Sequence, residues 1–240
     1  MNKKILIFGG TGSIGFSIAK KVSEEGYSPI IISRNKEELI EKSSEINCKY
    51  EVCDVLKNSQ IEDISKKYND EVIGLAYCVG SINLKPIKIS NDDDFIESFK
   101  INTLGAINVI KFNLNSLTKN NGSILLFSTI AVQQGFTNHS IVSSSKGAIE
   151  GLTLSLAAEF APKIRVNCIA PSLTDSKMSQ KMVSNETIRK AIENMHPIPK
   201  IGNGEDFADL SSFLLSEKNN WITGQIFHID GGRSKLRIKA

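Results

Sequence analysis

Cysteine, histidine and tryptophan are all scarce in this 240-residue sequence, at four, three and one residues respectively. The cysteines, Cys48, Cys53, Cys78 and Cys168, show no paired metal-ligand spacing, and each sits in or beside an apolar, strand-like segment. That pattern argues against a zinc ribbon or a disulfide scaffold; it predicts buried free thiols in a reducing compartment, and no metal site. No apolar run approaches the length of a membrane span, so no membrane partner is expected. The first apolar run begins at Lys3, which leaves no signal-peptide pattern and predicts a cytoplasmic location. Charge of one sign is lacking too. A net charge of +3, scattered along the chain, does not predict nucleic-acid binding. Repeats, linkers and low-complexity tracts are absent. A hydrophobic share of 40% over this length suffices for one sizeable core, so residues 1–240 read as a single α/β domain.

What is present is an alternation of short apolar runs and amphipathic stretches. Residues 3–8 (KKILIF), 29–33, 50–55, 72–78, 122–127 and 164–169 read as buried parallel strands. Helices are expected from about 13 to 25, after Asn35, from 91 or 92 to about 117, from 141 to 160, and from 206 to 215. Asn35 and Glu38 have the spacing of a capping box, which gives Glu38 a role without any chemistry. Strands alternating with helices predict a doubly wound sheet, helices on both faces, and a ligand at the carboxyl ends of the strands.

The first strand runs into Gly9-Gly10-Thr11-Gly12-Ser13-Ile14-Gly15 and then a helix. Gly10, Gly12 and Gly15 give the spacing G-x-G-x-x-G, and bare glycine-rich turns share it; the strand before and the helix after carry the reading. Glycines there let the backbone turn and approach a pyrophosphate, while the helix start offers free N–H groups. Gly9, Gly12, Ser13, Ile14 and Gly15 are the expected dinucleotide contacts.

Around Lys146 the sequence reads NHSIVSSSKGAIEGLTLSLAAEFAP, with apolar residues recurring every three or four positions. A lone lysine on so apolar a helix is costly unless a polar or anionic group meets it. This run, followed by IRVNCIAPS, strongly resembles the short-chain dehydrogenase/reductase family, and the likeness extends over nearly the whole chain. It implies a Rossmann-type, mainly seven-stranded parallel sheet, with the segment from Trp221 to Gly232 as its closing strand at a subunit interface. It also implies a homo-oligomer, dimer or tetramer, and a small-molecule substrate.

By the same resemblance several residues acquire expected roles. Ser33 and Arg34 stand where an NAD-preferring member has an acidic residue. The planar guanidinium of Arg34 can pair with a 2′-phosphate, so NADP(H) is favoured over NAD(H). Asp54 and Val55 match the pair beside the adenine, and Gly80 is what remains of an Asn-Asn-Ala-Gly motif. Asn102 matches the asparagine that orients a proton-relaying water. Thr129 falls at the carbonyl-binding serine, with Ser128 as a neighbouring substitute. Pro171 and Thr174 belong to the loop that meets the nicotinamide carboxamide. Residues 175–199, with Met178, Met182 and Met195, are expected to form a mobile substrate lid.

The family's catalytic pair is Tyr-x-x-x-Lys. Lys146 is present, but Val142 occupies the tyrosine position and has no proton to give. Positioned acid–base groups are worth ~10²–10⁴-fold, so the usual route is impaired. Three explanations remain open. His139, seven residues before Lys146, replaces the acid, as tyrosines so placed do in enoyl-thioester-reducing relatives. Alternatively, hydride adds to a conjugated double bond and Thr129 steadies the enolate. In the third, the protein binds NADP(H) without turnover, as a sensor or partner subunit. The expectation is an NADP(H)-dependent oxidoreductase with altered proton-donor chemistry, with the inactive binder as the alternative.

Overall fold

The computed structural model describes residues 3–180, 183 and 185–237. Strands β1 (Lys4–Phe8), β2 (Ser28–Ser33), β3 (Lys49–Val52), β4 (Val72–Tyr77), β5 (Ser123–Phe127), β6 (Arg165–Pro171) and β7 (Ile226–Ile229) form one sheet. Their order is β3-β2-β1-β4-β5-β6-β7, and every pairing is parallel. The chain winds outward from β1 to one edge, then crosses back to β4 and winds to the other. This places the topological switch between β1 and β4, where a ligand crevice opens at the strands' carboxyl ends.

A continuous apolar run hides which way each side chain points, and the sheet resolves it. Leu6 and Phe8 of β1 join the core under one face, and Ile5 and Ile7 the core under the other. Ile30 and Ile32 against Ile31 repeat the alternation in β2. Fully buried isoleucines of this kind each contribute roughly 1.5–3 kcal/mol relative to exposure. One face is covered by α1 (Ser13–Glu24), α2 (Lys36–Glu45) and α8 (Glu205–Leu215). The other is covered by α3 (Asn58–Lys67), α5 (Gly105–Lys119) and α6 (Ser140–Phe160). Helices α4 (Asp92–Phe99) and α7 (Glu186–Glu193) complete the set.

Two expected elements come out differently. The third strand stops at Val52, well short of Val55. It is an edge strand, and Val52 is exposed. The Asp54 carboxylate then accepts the Leu56 N–H at 3.0 Å, as a turn residue does. The single helix expected over 91–117 is also broken. Asn91 caps α4 in a full capping box with Asp94, but Lys100–Leu104 forms a π-turn before α5 begins. The Tyr77 hydroxyl donates to the Ile101 carbonyl in that turn at 2.6 Å. A Cβ on Gly105 would lie 2.2 Å from the same hydroxyl, so only glycine fits there. The inserted residue swings Asn102 inward, and it is fully buried.

Candidate active site

Backbone alone shapes one end of the crevice. Gly9 leaves β1 at φ +81°, and a Cβ there would sit 2.8 Å from the Cys78 carbonyl carbon at the end of β4. On Gly15 a Cβ would lie 2.4 Å from the Gly9 oxygen, so α1 packs directly on the loop it grows from. Gly12 is under less constraint: its Cβ would meet nothing nearer than the Gly9 oxygen at 3.3 Å. As the N-cap of α1, Gly12 contributes no side chain, so the first-turn amides have no side-chain partner and attract an anion.

These glycines open into a cavity of about 1120 Å³ that reaches across the β1–β4 switch to the far side of β5 and β6. The cavity exceeds the ~300–1,000 Å³ of typical small-ligand sites, which suits a dinucleotide with a second molecule beside it. Gly9, Gly12, Ser13, Ile14, Gly15 and Arg34 line one end. Arg34 has no ion-pair partner among the described residues. Glu38, one turn further on, caps through its N–H to Asn35 (3.1 Å) but does more than the sequence suggested. Its carboxylate is also on the cavity wall and pairs with Lys177 at 2.9 Å. Ser33 stays off the wall, its hydroxyl accepting from Thr11 at 3.1 Å. Asp54 and Val55 are likewise outside the lining.

At the other end Lys146 and Val142 lie one turn apart on the buried stripe of α6. The Lys146 ammonium donates to the Phe127 carbonyl at 2.8 Å, the polar contact its burial requires. Burial still pushes its pKa down to about 8, opposed by the nearby Cys168 and Cys78 thiols. Both thiols are pushed up to about 12, chiefly by burial. Gly80 completes the floor: a Cβ there would be 3.4 Å from the Lys146 nitrogen and 3.1 Å from the Asn102 carbonyl oxygen. Asn102 itself stands behind that floor. Its oxygen accepts the Ser81 N–H at 3.1 Å, and its amide donates to the Ser98 carbonyl at 2.9 Å.

Thr129, on the wall, caps a short 3₁₀ turn by accepting the Ala131 N–H at 3.3 Å. The proposed substitute, Ser128, is committed elsewhere: its hydroxyl donates to buried Glu150 at 2.8 Å. Val142 is buried against the cavity. None of the four tyrosines, Tyr27, Tyr50, Tyr68 and Tyr77, lines it. His139, half-buried at the start of α6, does. Its Nδ1 lies 2.7 Å from the Thr137 carbonyl, which fixes that nitrogen as the protonated one and leaves Nε2 to gain or lose a proton.

Pro171 and Thr174 form the lip beyond β6. Here a parallel bridge joins Thr174 to Gly202, reinforced by Asp175 N–H to Gly202 carbonyl at 2.7 Å and Gly202 N–H to Leu173 carbonyl at 3.2 Å. The expected lid is therefore an excursion tied at its base and carrying α7; Met178 lines the cavity, and Met182 lies outside the described residues. Two side-chain contacts were given no role by the sequence reasoning. Ser172 contacts the His196 imidazole at 2.8 Å. The Arg233 guanidinium lies 4.8 Å from the Phe136 ring centroid, and both residues line the cavity. Arg233 directly follows Gly231 and Gly232, both at positive φ (60° and 87°), a sharp turn that was the available signal.

The family model described as enoyl-(acyl carrier protein) reductase matches residues 9–234. Human dehydrogenase/reductase SDR family member 2, mitochondrial, is 26% identical over 98% of this chain and 88% of its own. Carbonyl reductase family member 4 of Xenopus laevis is 29% identical over 97% and 98%. A structure of ElxO with NADP bound superposes with a TM-score of 0.91 at 30% identity, covering 98% of this chain and all of the other. Among the described residues no helix is long and apolar enough to cross a membrane.

Proposed function

The chain belongs to the short-chain dehydrogenase/reductase family, and from that premise we propose that it is an NADP(H)-dependent oxidoreductase acting on a small carbonyl, hydroxyl or enoyl substrate. One observation carries the reading: a single cavity joins the glycine loop and Arg34 to Lys146, Thr129 and His139. NADPH, when bound, supplies the hydride. The first-turn amides of α1 and the open flank of Gly12 hold its pyrophosphate, and the unpaired Arg34 takes the 2′-phosphate. ElxO, whose structure has NADP bound, supports the choice of that dinucleotide. Lys146 anchors the nicotinamide ribose over the Gly80 floor, with Asn102 holding that floor from behind. Pro171 and Thr174 border the nicotinamide.

Thr129 donates to the substrate oxygen, and His139 holds the proton that this oxygen takes up on reduction. With Nδ1–H directed at Thr137, the imidazolium would present its second proton from Nε2. A non-catalytic NADP(H)-binding role remains the second reading, favoured by one observation: no tyrosine borders the cavity. Parallel fluorescence titrations with NADPH and NADH test the cofactor, with tight NADPH and weak NADH binding expected. His139→Gln then tests the donor. Loss of turnover supports it, and unchanged turnover removes His139 from the mechanism.

A homo-oligomer, dimer or tetramer, belongs to the same proposal. Ile96, Phe99, Leu104 and Leu154 are exposed along α4, the π-turn and α6, and Trp221 before β7 is 94% exposed. Light scattering on the purified chain checks it.

A further inference from the structure

Arg233 is the one guanidinium on the cavity wall away from the glycine loop, and its surroundings are unusual for a cation. It is half-buried, and burial lowers its pKa. Yet no carboxylate pairs with it among the described residues. Asp230, the nearest candidate, is turned to the backbone, accepting the Gly232 and Ser234 N–H groups at 2.9 Å each. Its contacts are weak: the Ser172 hydroxyl at 3.4 Å, the Met195 sulfur at 3.5 Å, and the face of Phe136. Among the described residues the only acid on the cavity wall, Glu38, is paired with Lys177. Asp230 eases this charge only through space, and a half-buried fork of donors with no directly bonded anion is costly to maintain in the protein alone.

We propose that the substrate carries a carboxylate and that Arg233 binds it, with the Phe136 ring holding the guanidinium flat beneath. This rests on the oxidoreductase reading and narrows it to oxo acids or hydroxy acids. Ser172 assists from the side. Its contact with His196 Nε2, whose Nδ1 faces the Ile192 carbonyl at 2.8 Å, fixes the hydroxyl beside the guanidinium. Cofactor and substrate would then each be held by an arginine, Arg34 for the 2′-phosphate and Arg233 for the carboxylate.

The test is calorimetric binding of acetoacetate, levulinate and phenylpyruvate, each beside its methyl ester, to the protein saturated with NADPH. The three acids vary the separation of carbonyl from carboxylate. At least one acid is expected to bind roughly 10–100-fold more tightly than its ester, the worth of a hydrogen-bonded charge. Arg233→Met should erase that advantage, and Arg233→Lys should recover part of it. Equal binding of every acid and ester overturns the proposal, as does an advantage that survives in Arg233→Met, or no binding by any acid. NADPH titration of the same samples is read separately. A protein that binds NADPH but prefers no acid loses only this inference, whereas one that binds no NADPH loses the oxidoreductase reading itself.

Discussion

The two ends of the cavity are built by opposite means. At the cofactor end backbone sets the shape, through Gly9 and Gly15, where a single Cβ would collide with main chain at 2.8 and 2.4 Å. The residues concerned lie within one strand–turn–helix unit. At the substrate end side chains set the shape, and they arrive from four segments: Phe136 and His139 before α6, Val142 and Lys146 on it, Ser172 after β6, and Arg233 after β7. A backbone-built site tolerates little change, because main chain cannot rotate away. A side-chain-built site can be rewritten one residue at a time.

The sharpest way to probe that contrast is Val142→Tyr. If His139 does not serve as the acid and the substrate end lacks only that group, steady-state NADPH oxidation with a panel of carbonyls should rise by about 10²-fold or more, whereas a working His139 leaves little to gain. No gain would mean that the surrounding side chains have moved to other chemistry as well. Next is Lys146→Met in the absence of cofactor. Burial lowers the Lys146 pKa to about 8 in the folded chain, against about 10.4 for a free lysine. Between those pH values the unfolded chain binds the extra lysine proton, so Lys146 alone adds up to about 3 kcal/mol as pH rises. Opposing it above pH ~8.5 is the loss imposed by Cys48, Cys53, Cys78 and Cys168, whose thiols burial keeps protonated in the fold. Below pH ~8 the burial cost is present in full. Denaturant melts across this range should show the native protein gaining on the variant by up to about 3 kcal/mol as pH rises, the thiols acting on both alike. At the backbone-built end Gly15→Ala should cost about 1–3 kcal/mol of stability, since the Gly9 carbonyl must shift, and should weaken NADPH binding with it. Arg34→Gln is the smallest change. Roughly tenfold weaker NADPH binding is expected, with NADH binding unaltered, in the same fluorescence titration.

The same division decides what the sequence made legible. Apolar runs bounded by glycine marked the strands. The G-x-G-x-x-G spacing between a strand and a helix marked the cofactor end, because the turn itself is local, although Gly9 also makes room for Cys78 across the sheet. The pairing of Lys146 with the Phe127 carbonyl also follows the expectation that so buried a cation needs a polar contact. The π-turn left no trace in periodicity, since one extra residue only shifts the helical phase, and Gly105 was its sole mark. Ser33 and Asp54 were read by position along a strand, yet one hydroxyl turned to Thr11 and one carboxylate to Leu56. Arg233 and Phe136 are almost a hundred residues apart in sequence. Their meeting depends on the β6–β7 pairing and the double-glycine turn together, and no local pattern encodes it.

The tie between Thr174 and Gly202 has a consequence for descent. Its hydrogen bonds run from main chain to main chain, so they survive almost any replacement of the side chains between them. Everything from Asp175 to Ile201 can therefore diverge as one interchangeable cassette, plugged into an unchanging socket on the sheet. A chain with the same strand order could change its substrate preference through that segment, provided the Lys177–Glu38 pair at the dinucleotide end is refitted with it.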